Sequence, residues 1–221
     1  MPATHTFYTC LGLLALLCQL LLPNTSRAAD EDWILSKHYD GKRFHNSNGS
    51  DKHLGDISRF LWTSLSNEKP WPKWLENPPA DIIAPRVTEG LRATYINHAT
   101  VLIQVAGLNI LTDPVWSKRV SPVAFAGPKR VRAPGIPISD LPEIDLILIS
   151  HNHYDHLDTK SLKAIRAQQD QAPLIISGLG NQKLLRKLGY DTAVELDWNA
   201  SRTLGETTIH FVECQHRSGR G

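Results

Sequence analysis

The sequence predicts a mixed α/β domain, and three observations predict it. From residue 91 onward, short runs of aliphatic and β-branched residues alternate with two segments of helical periodicity. Gly, Pro, Asn and Asp bound the runs, as turn chemistry requires. The sequence His-Asn-His-Tyr-Asp-His at 151–156 follows directly on the largely apolar run 144–150, so several metal-competent side chains sit at the mouth of a strand.

Length and composition agree with one globular domain. The chain has 221 residues, 41% of them hydrophobic and 21% charged, values of an ordinary folded protein and not a disordered one. Its 24 basic and 22 acidic residues leave a formal charge of +2, which gives no electrostatic case for nucleic acid as a partner.

Residues 1–29 read as a signal peptide. Residues 10–22 are apolar except for Gln19, and Ser26 and Ala28 suit the small-residue cleavage rule, with the cut after Ala28 or Ala29. The first nine residues carry no Lys or Arg, so an uncleaved anchor is the alternative. The run is short for a bilayer span. Export follows as the expectation, to a periplasmic or membrane-associated location. Cys214 is then the only thiol of the mature chain, which excludes an internal disulfide.

Residues 30–90 form an N-terminal extension. Residues 45–51 are turn chemistry, and Leu54, Ile57, Phe60, Leu61 and Leu65 predict one amphipathic helix over 54–65. Four prolines between 67 and 79 exclude regular structure there. Trp62, Trp71 and Trp74 either pack the extension on the domain or face lipid, since Trp favours membrane interfaces.

The domain itself covers 91–221. Residues 91–97, 101–105 and 108–112 predict strands, the last two joined by Ala106-Gly107 as a hairpin. Residues 113–137 hold five prolines and two glycines, the composition of a long ordered loop. A strand over 144–150 leads into the histidine cluster. A helix follows, capped by Asp158 or Thr159 and running to about 169. Then come a buried-type strand at 173–177, a helix at 181–188 stopped by Gly189, and a last strand at 207–213 leading to Cys214-Gln215-His216.

The cluster names a chemistry. Imidazoles and a carboxylate are the nitrogen and oxygen donors that zinc prefers. His151 and His153, two apart, project to one side of an extended segment. Asp155 and His156 sit where the chain turns into the helix, placed to face a second ion about 3.5–4 Å from the first.

The H-x-H-x-D-H motif after an apolar strand resembles the metallo-β-lactamase fold hydrolases. Asn97-His98-Ala99-Thr100, Leu111-Thr112-Asp113-Pro114-Val115-Trp116-Ser117, the stretch from Ser121 to Arg130, His151 to Asp158 and Gln215-His216 resemble one branch of them. That branch includes the N-acyl-phosphatidylethanolamine-hydrolysing phospholipase D and its bacterial relatives. The resemblance runs from about residue 55 to Gly221. It implies an αββα sandwich, of which this chain would be the N-terminal part only. It implies two zinc ions, with His151, His153 and His216 on one and Asp155 and His156, the catalytic pair, on the other. It implies hydrolysis of a phospholipid or other phosphoester by an activated water attacking phosphorus, with contact to a membrane surface. The branch supplies a bridging Asp and a further His after the position of Gly221, so the chain reads as C-terminally truncated. A lactonase or other esterase on the same site, and a non-catalytic remnant, are the alternatives. His98 and Asp113 fall on the substrate side in this reading, although a core histidine and a turn-initiating Asp-Pro are the plainer roles. Arg217 stands where the family usually has Trp. Lys129, Arg130 and Arg132 are candidates for a phosphate contact.

Overall fold

The computed structural model describes residues 82–220 except 124, 126, 128 and 217, together with 36, 38–40, 43–47, 55, 58, 59, 62, 63 and 72–78. The expected signal peptide lies outside the described residues, as do Arg217, Trp71 and the apolar positions of the expected helix at 54–65. Within that helix the described residues Gly55, Ser58, Arg59, Trp62 and Thr63 are helical. Among the described residues, no helix is long and apolar enough to cross a membrane.

A six-stranded sheet runs in chain order. The strands β1 (Leu91–Asn97), β2 (Thr100–Val105) and β3 (Leu108–Thr112) are antiparallel. The strands β4 (Leu146–Ile149), β5 (Leu174–Gly178) and β6 (Val194–Leu196) continue from β3 in parallel. The β2–β3 turn places Ala106 at φ 49° and Gly107 at φ 74°, the paired positive values that match a hairpin turn to the twist of its strands. A second hairpin, β7 (Ser201–Leu204) and β8 (Thr207–His210), forms a separate two-stranded sheet.

Side-chain alternation builds two cores on the two faces of the large sheet. Along β4, Leu146 and Leu148 point to one face and Ile147 and Ile149 to the other, the period-2 pattern of a strand buried on both sides. The face of Ile147 packs against Leu162, Ile165, Leu185 and Tyr190, supplied by α1 (Thr159–Gln168), α2 (Gln182–Lys187) and the residues just after α2. The face of Leu146 packs against Leu204, Ile209 and Phe211 of the β7–β8 hairpin and its exit. Helices, sheet and hairpin thus form three consecutive layers.

The ends of α1 and α2 follow from local chemistry. Asp158 caps α1 by accepting from the Lys160 N–H and also binds Ser161 Oγ at 2.5 Å and the Ser117 N–H at 3.0 Å. One carboxylate therefore starts the helix and anchors the long loop after β3. Gly189, at φ 89°, stops α2 in the left-handed conformation. At the pole of the sheet where β4 begins, Asp145 binds Arg86 Nη1 at 2.5 Å and the Asn109 N–H at 2.7 Å.

Two expectations need correction. The last strand ends at His210, and residues 211–216 carry no regular structure, because the chain leaves the hairpin there to reach the sheet edge. Arg130 makes no outward basic patch: its half-buried guanidinium donates to the Ser117 and Val115 carbonyls and holds the loop together.

Candidate metal centre

The strands β1, β3 and β4 run in the same direction, so their C-terminal ends share one edge of the sheet. His98 follows β1, Asp113 follows β3, and Ser150 with His151 follows β4. Ligand-bearing loops in open α/β sheets gather at this edge for the same topological reason.

The cluster after β4 turns tightly. The N–H groups of His156 and Leu157 both donate to the His153 carbonyl, at 3.1 and 2.9 Å. The turn folds Asp155 and His156 back beside His151, whose ring centroid lies 4.0 Å from that of His156. His216 arrives from the segment after β8, with its ring 4.4 Å from His151 and 5.3 Å from His153.

Two groups of donors result. His151, His153 and His216 form one, and His98, Asp155 and His156 form the other; within each, one ligand atom per residue lies within 4.8 Å of the rest. His98 is a correction to its plainer reading. It is no core histidine: its side chain is 51% exposed, and its Nε2 lies 3.1 Å from Asp155 Oδ2. Its backbone sits at φ 43°, a left-handed value that non-glycine residues seldom adopt and that clusters at functional turns.

Asp113 is equally specific. It is buried, sits at φ 34°, and donates its own N–H to the Leu148 carbonyl at 2.9 Å. Its Oδ1 accepts from the Ser150 N–H at 2.8 Å, and its Oδ2 accepts from Ser150 Oγ at 2.7 Å. The same Oδ2 lies 2.9 Å from His156 Nδ1. A carboxylate on one ring nitrogen fixes the tautomer and turns the other nitrogen toward a metal. Sequence reasoning placed Asp113 near the site without this role. The apolar strand before it and Ser150 at the next strand end carried the only signal.

The electrostatics divide the histidines. Burial, with the neighbouring His156, His153 and His216, pushes the His151 pKa down to about 4, so the ring is neutral at pH 7 and keeps a lone pair for a ligand. Burial also opposes charge on His156, but the hydrogen bond and charge of Asp113, with the charge of Asp155, outweigh it and raise its pKa.

Residues 108–221 match the family model of the beta-lactamase superfamily domain. The chain belongs to this superfamily. It is 40% identical over 221 aligned residues to the N-acyl-phosphatidylethanolamine-hydrolyzing phospholipase D 1 of Caenorhabditis elegans, an overlap covering 90% of this chain and 62% of that protein. It is 39% identical to an uncharacterized protein of Mycobacterium tuberculosis, over 64% of this chain and 39% of the relative. The chain thus spans between about two fifths and three fifths of the length of these curated relatives. Among solved structures, CmlA, a diiron β-hydroxylase from Streptomyces venezuelae, shares 28% identity over 55% of this chain and 23% of that one, with a TM-score of 0.40.

The expected family of metallo-β-lactamase fold hydrolases is therefore borne out, and the matched stretch contains every proposed donor except His98. The residues of this superfamily member fit a metal. Both donor groups consist of imidazole and carboxylate only, the ligands divalent transition ions accept. The site also packs three histidine rings, His153, His156 and His216, around His151, a crowding of nitrogen donors that suits a shared cation.

Proposed function

We propose that the protein is a zinc-dependent hydrolase that cleaves phosphodiesters of the N-acyl-phosphatidylethanolamine class. One observation carries the reading: the 40% identity to the Caenorhabditis elegans phospholipase extends over 90% of this chain, a chain that also gathers its imidazole and carboxylate donors into two groups. In this reading His151, His153 and His216 would hold one zinc ion, and Asp155 and His156, with His98 beside them, would hold another. Zinc, when bound, acts as a Lewis acid and makes water a nucleophile near neutral pH.

The chain's own residues contribute orientation and charge. Asp113 holds His156 by Nδ1 and so aims its Nε2 into the site. His151 needs no deprotonation at neutral pH before it can serve as a ligand. In the overall reaction, water adds to phosphorus and the bond to the N-acylethanolamine oxygen breaks. That oxygen leaves with a proton, and phosphatidic acid remains.

A phospholipid substrate calls for exposed apolar side chains on the protein. Trp62, Trp74 and Phe125 are 76%, 48% and 77% exposed, which supports contact with a membrane surface. Export to a periplasmic or membrane-associated location belongs to the same proposal.

The test is zinc-loaded protein incubated with vesicles containing N-acyl-phosphatidylethanolamine, with lactone and bis(p-nitrophenyl) phosphate run in parallel. Release of N-acylethanolamine, lost with a chelator and in His151→Ala, is the expected result. Turnover of the lactone alone would replace the phosphodiesterase reading with an esterase. Binding of zinc without turnover of any ester would make the protein a non-catalytic metal binder.

A further inference from the structure

His216 poses a problem of position. It lies in a segment without regular structure, and its ring must be fixed against His151 and His153. Ordering a loop residue costs backbone entropy, so some contact has to hold the segment in place.

We propose that Ser218 and Arg220 are positioning residues that clamp the His216 segment onto the 151–157 loop and so complete the His151–His153–His216 group. The proposal rests on reading those three histidines as one metal group. Ser218 Oγ donates to Asn152 Oδ1 at 2.6 Å and accepts from the Asn152 N–H at 3.1 Å. Arg220 Nε donates to the Asn152 carbonyl at 2.8 Å, and its Nη2 donates to the Leu157 carbonyl. The guanidinium lies over the Tyr154 ring, 4.4 Å from its centroid.

The partners decide the function. Asn152, Tyr154 and Leu157 are interleaved with His151, His153, Asp155 and His156. Asn152 gives its N–H, its carbonyl and its side chain to the clamp, so the backbone between the two leading histidines is fixed from outside. The Arg220 contacts then span the loop from Asn152 to Leu157. A planar fork that binds two carbonyls and stacks on a ring is a property of arginine; a lysine ammonium is a point charge and cannot reproduce it. The clamp thus joins two segments about sixty residues apart in sequence, one carrying His151 and His153 and the other carrying His216.

The test is competitive zinc titration of the metal-stripped protein, with the visible absorption of the cobalt(II)-substituted protein as a second readout. Wild type is compared with His216→Ala, Arg220→Ala, Arg220→Lys, Ser218→Ala and the double variant Arg220→Ala/His216→Ala. The expected loss of affinity for one zinc equivalent in Arg220→Ala is roughly 10–100-fold, the range for groups that orient a ligand. Lysine does not restore it. The double variant binds no more weakly than His216→Ala, and the cobalt spectrum of Arg220→Ala matches that of His216→Ala. Wild-type affinity in Arg220→Ala and Ser218→Ala, beside an impaired His216→Ala, would overturn the clamp alone. Wild-type affinity in His216→Ala would overturn the metal group itself and the clamp with it. If Arg220→Ala does not fold, Ser218→Ala, which loses only a hydroxyl, carries the same comparison.

Discussion

Asp113 Oδ2 lies 2.9 Å from His156 Nδ1, although the two residues are 43 apart in sequence. The contact joins the end of β3 to the histidine loop after β4. Ser150 completes it, since its N–H and hydroxyl donate to the two oxygens of the same carboxylate. A buried carboxylate with three such partners has little freedom, and the imidazole that it holds inherits that rigidity.

Asp113→Asn therefore keeps the shape and removes the charge. In the metal-free protein the His156 pKa should fall, because the carboxylate's hydrogen bond and charge are what raise it. Affinity for the metal held by His156 should fall by roughly 10–100-fold. NMR titration of the His156 ring and zinc competition measure the two effects. An unchanged zinc affinity would show that the Asp113 contact does not orient a ligand.

Acid should weaken the metal-free protein through His151. Its pKa is about 4 in the fold, below the ordinary value of 6.5. Between those values the unfolded chain binds a proton that the folded chain does not, so stability rises with pH across the window and is lost as pH falls. His156 acts oppositely: its pKa is raised, so its contribution is full below the unfolded value and is lost as pH rises through the folded one. The two are separated by comparing wild type with His151→Gln in urea at about pH 7 and about pH 4.5. Wild type should lose more stability over that interval than the variant. Parallel losses would refute the assignment.

The opposite pole of the sheet should carry stability without function. Asp145 accepts from the Asn109 N–H and pairs with Arg86, whose own pKa is raised chiefly by its hydrogen bond to Asp145. Asp145→Ala leaves a backbone donor without this acceptor, a loss of about 1–3 kcal/mol. Chemical denaturation should show that loss, while zinc affinity stays at the wild-type value. A coupled drop in zinc affinity would mean that the pole and the metal edge are not independent.

Much of this architecture is legible in the sequence where its rules are local. The apolar run in 144–150, which holds the strand Leu146–Ile149, the capping residue Asp158 and the stop at Gly189 each depend on neighbours within a few residues. The H-x-H-x-D-H run is legible for the same reason. Strands β6 and β7 are not: Val194–Leu196 is only three residues long, and Ser-Arg-Thr-Leu at 201–204 reads as polar loop until pairing with β8 makes it a strand. His98 beside Asp155, Asp113 beneath His156, and Arg220 across Leu157 are contacts over long sequence separations. Residue type alone left His98 and Asp113 with bland alternatives, and only the common edge of β1, β3 and β4 brings them to the cluster.

Each of the two donor groups at this edge should hold one metal ion. The most direct measurement is an anomalous difference map from crystals of the zinc-loaded protein, collected at the zinc absorption edge. The expected map has one peak bounded by His151, His153 and His216 and a second bounded by His98, Asp155 and His156. A map without a peak at either group, or with zinc only at residues elsewhere, would contradict it.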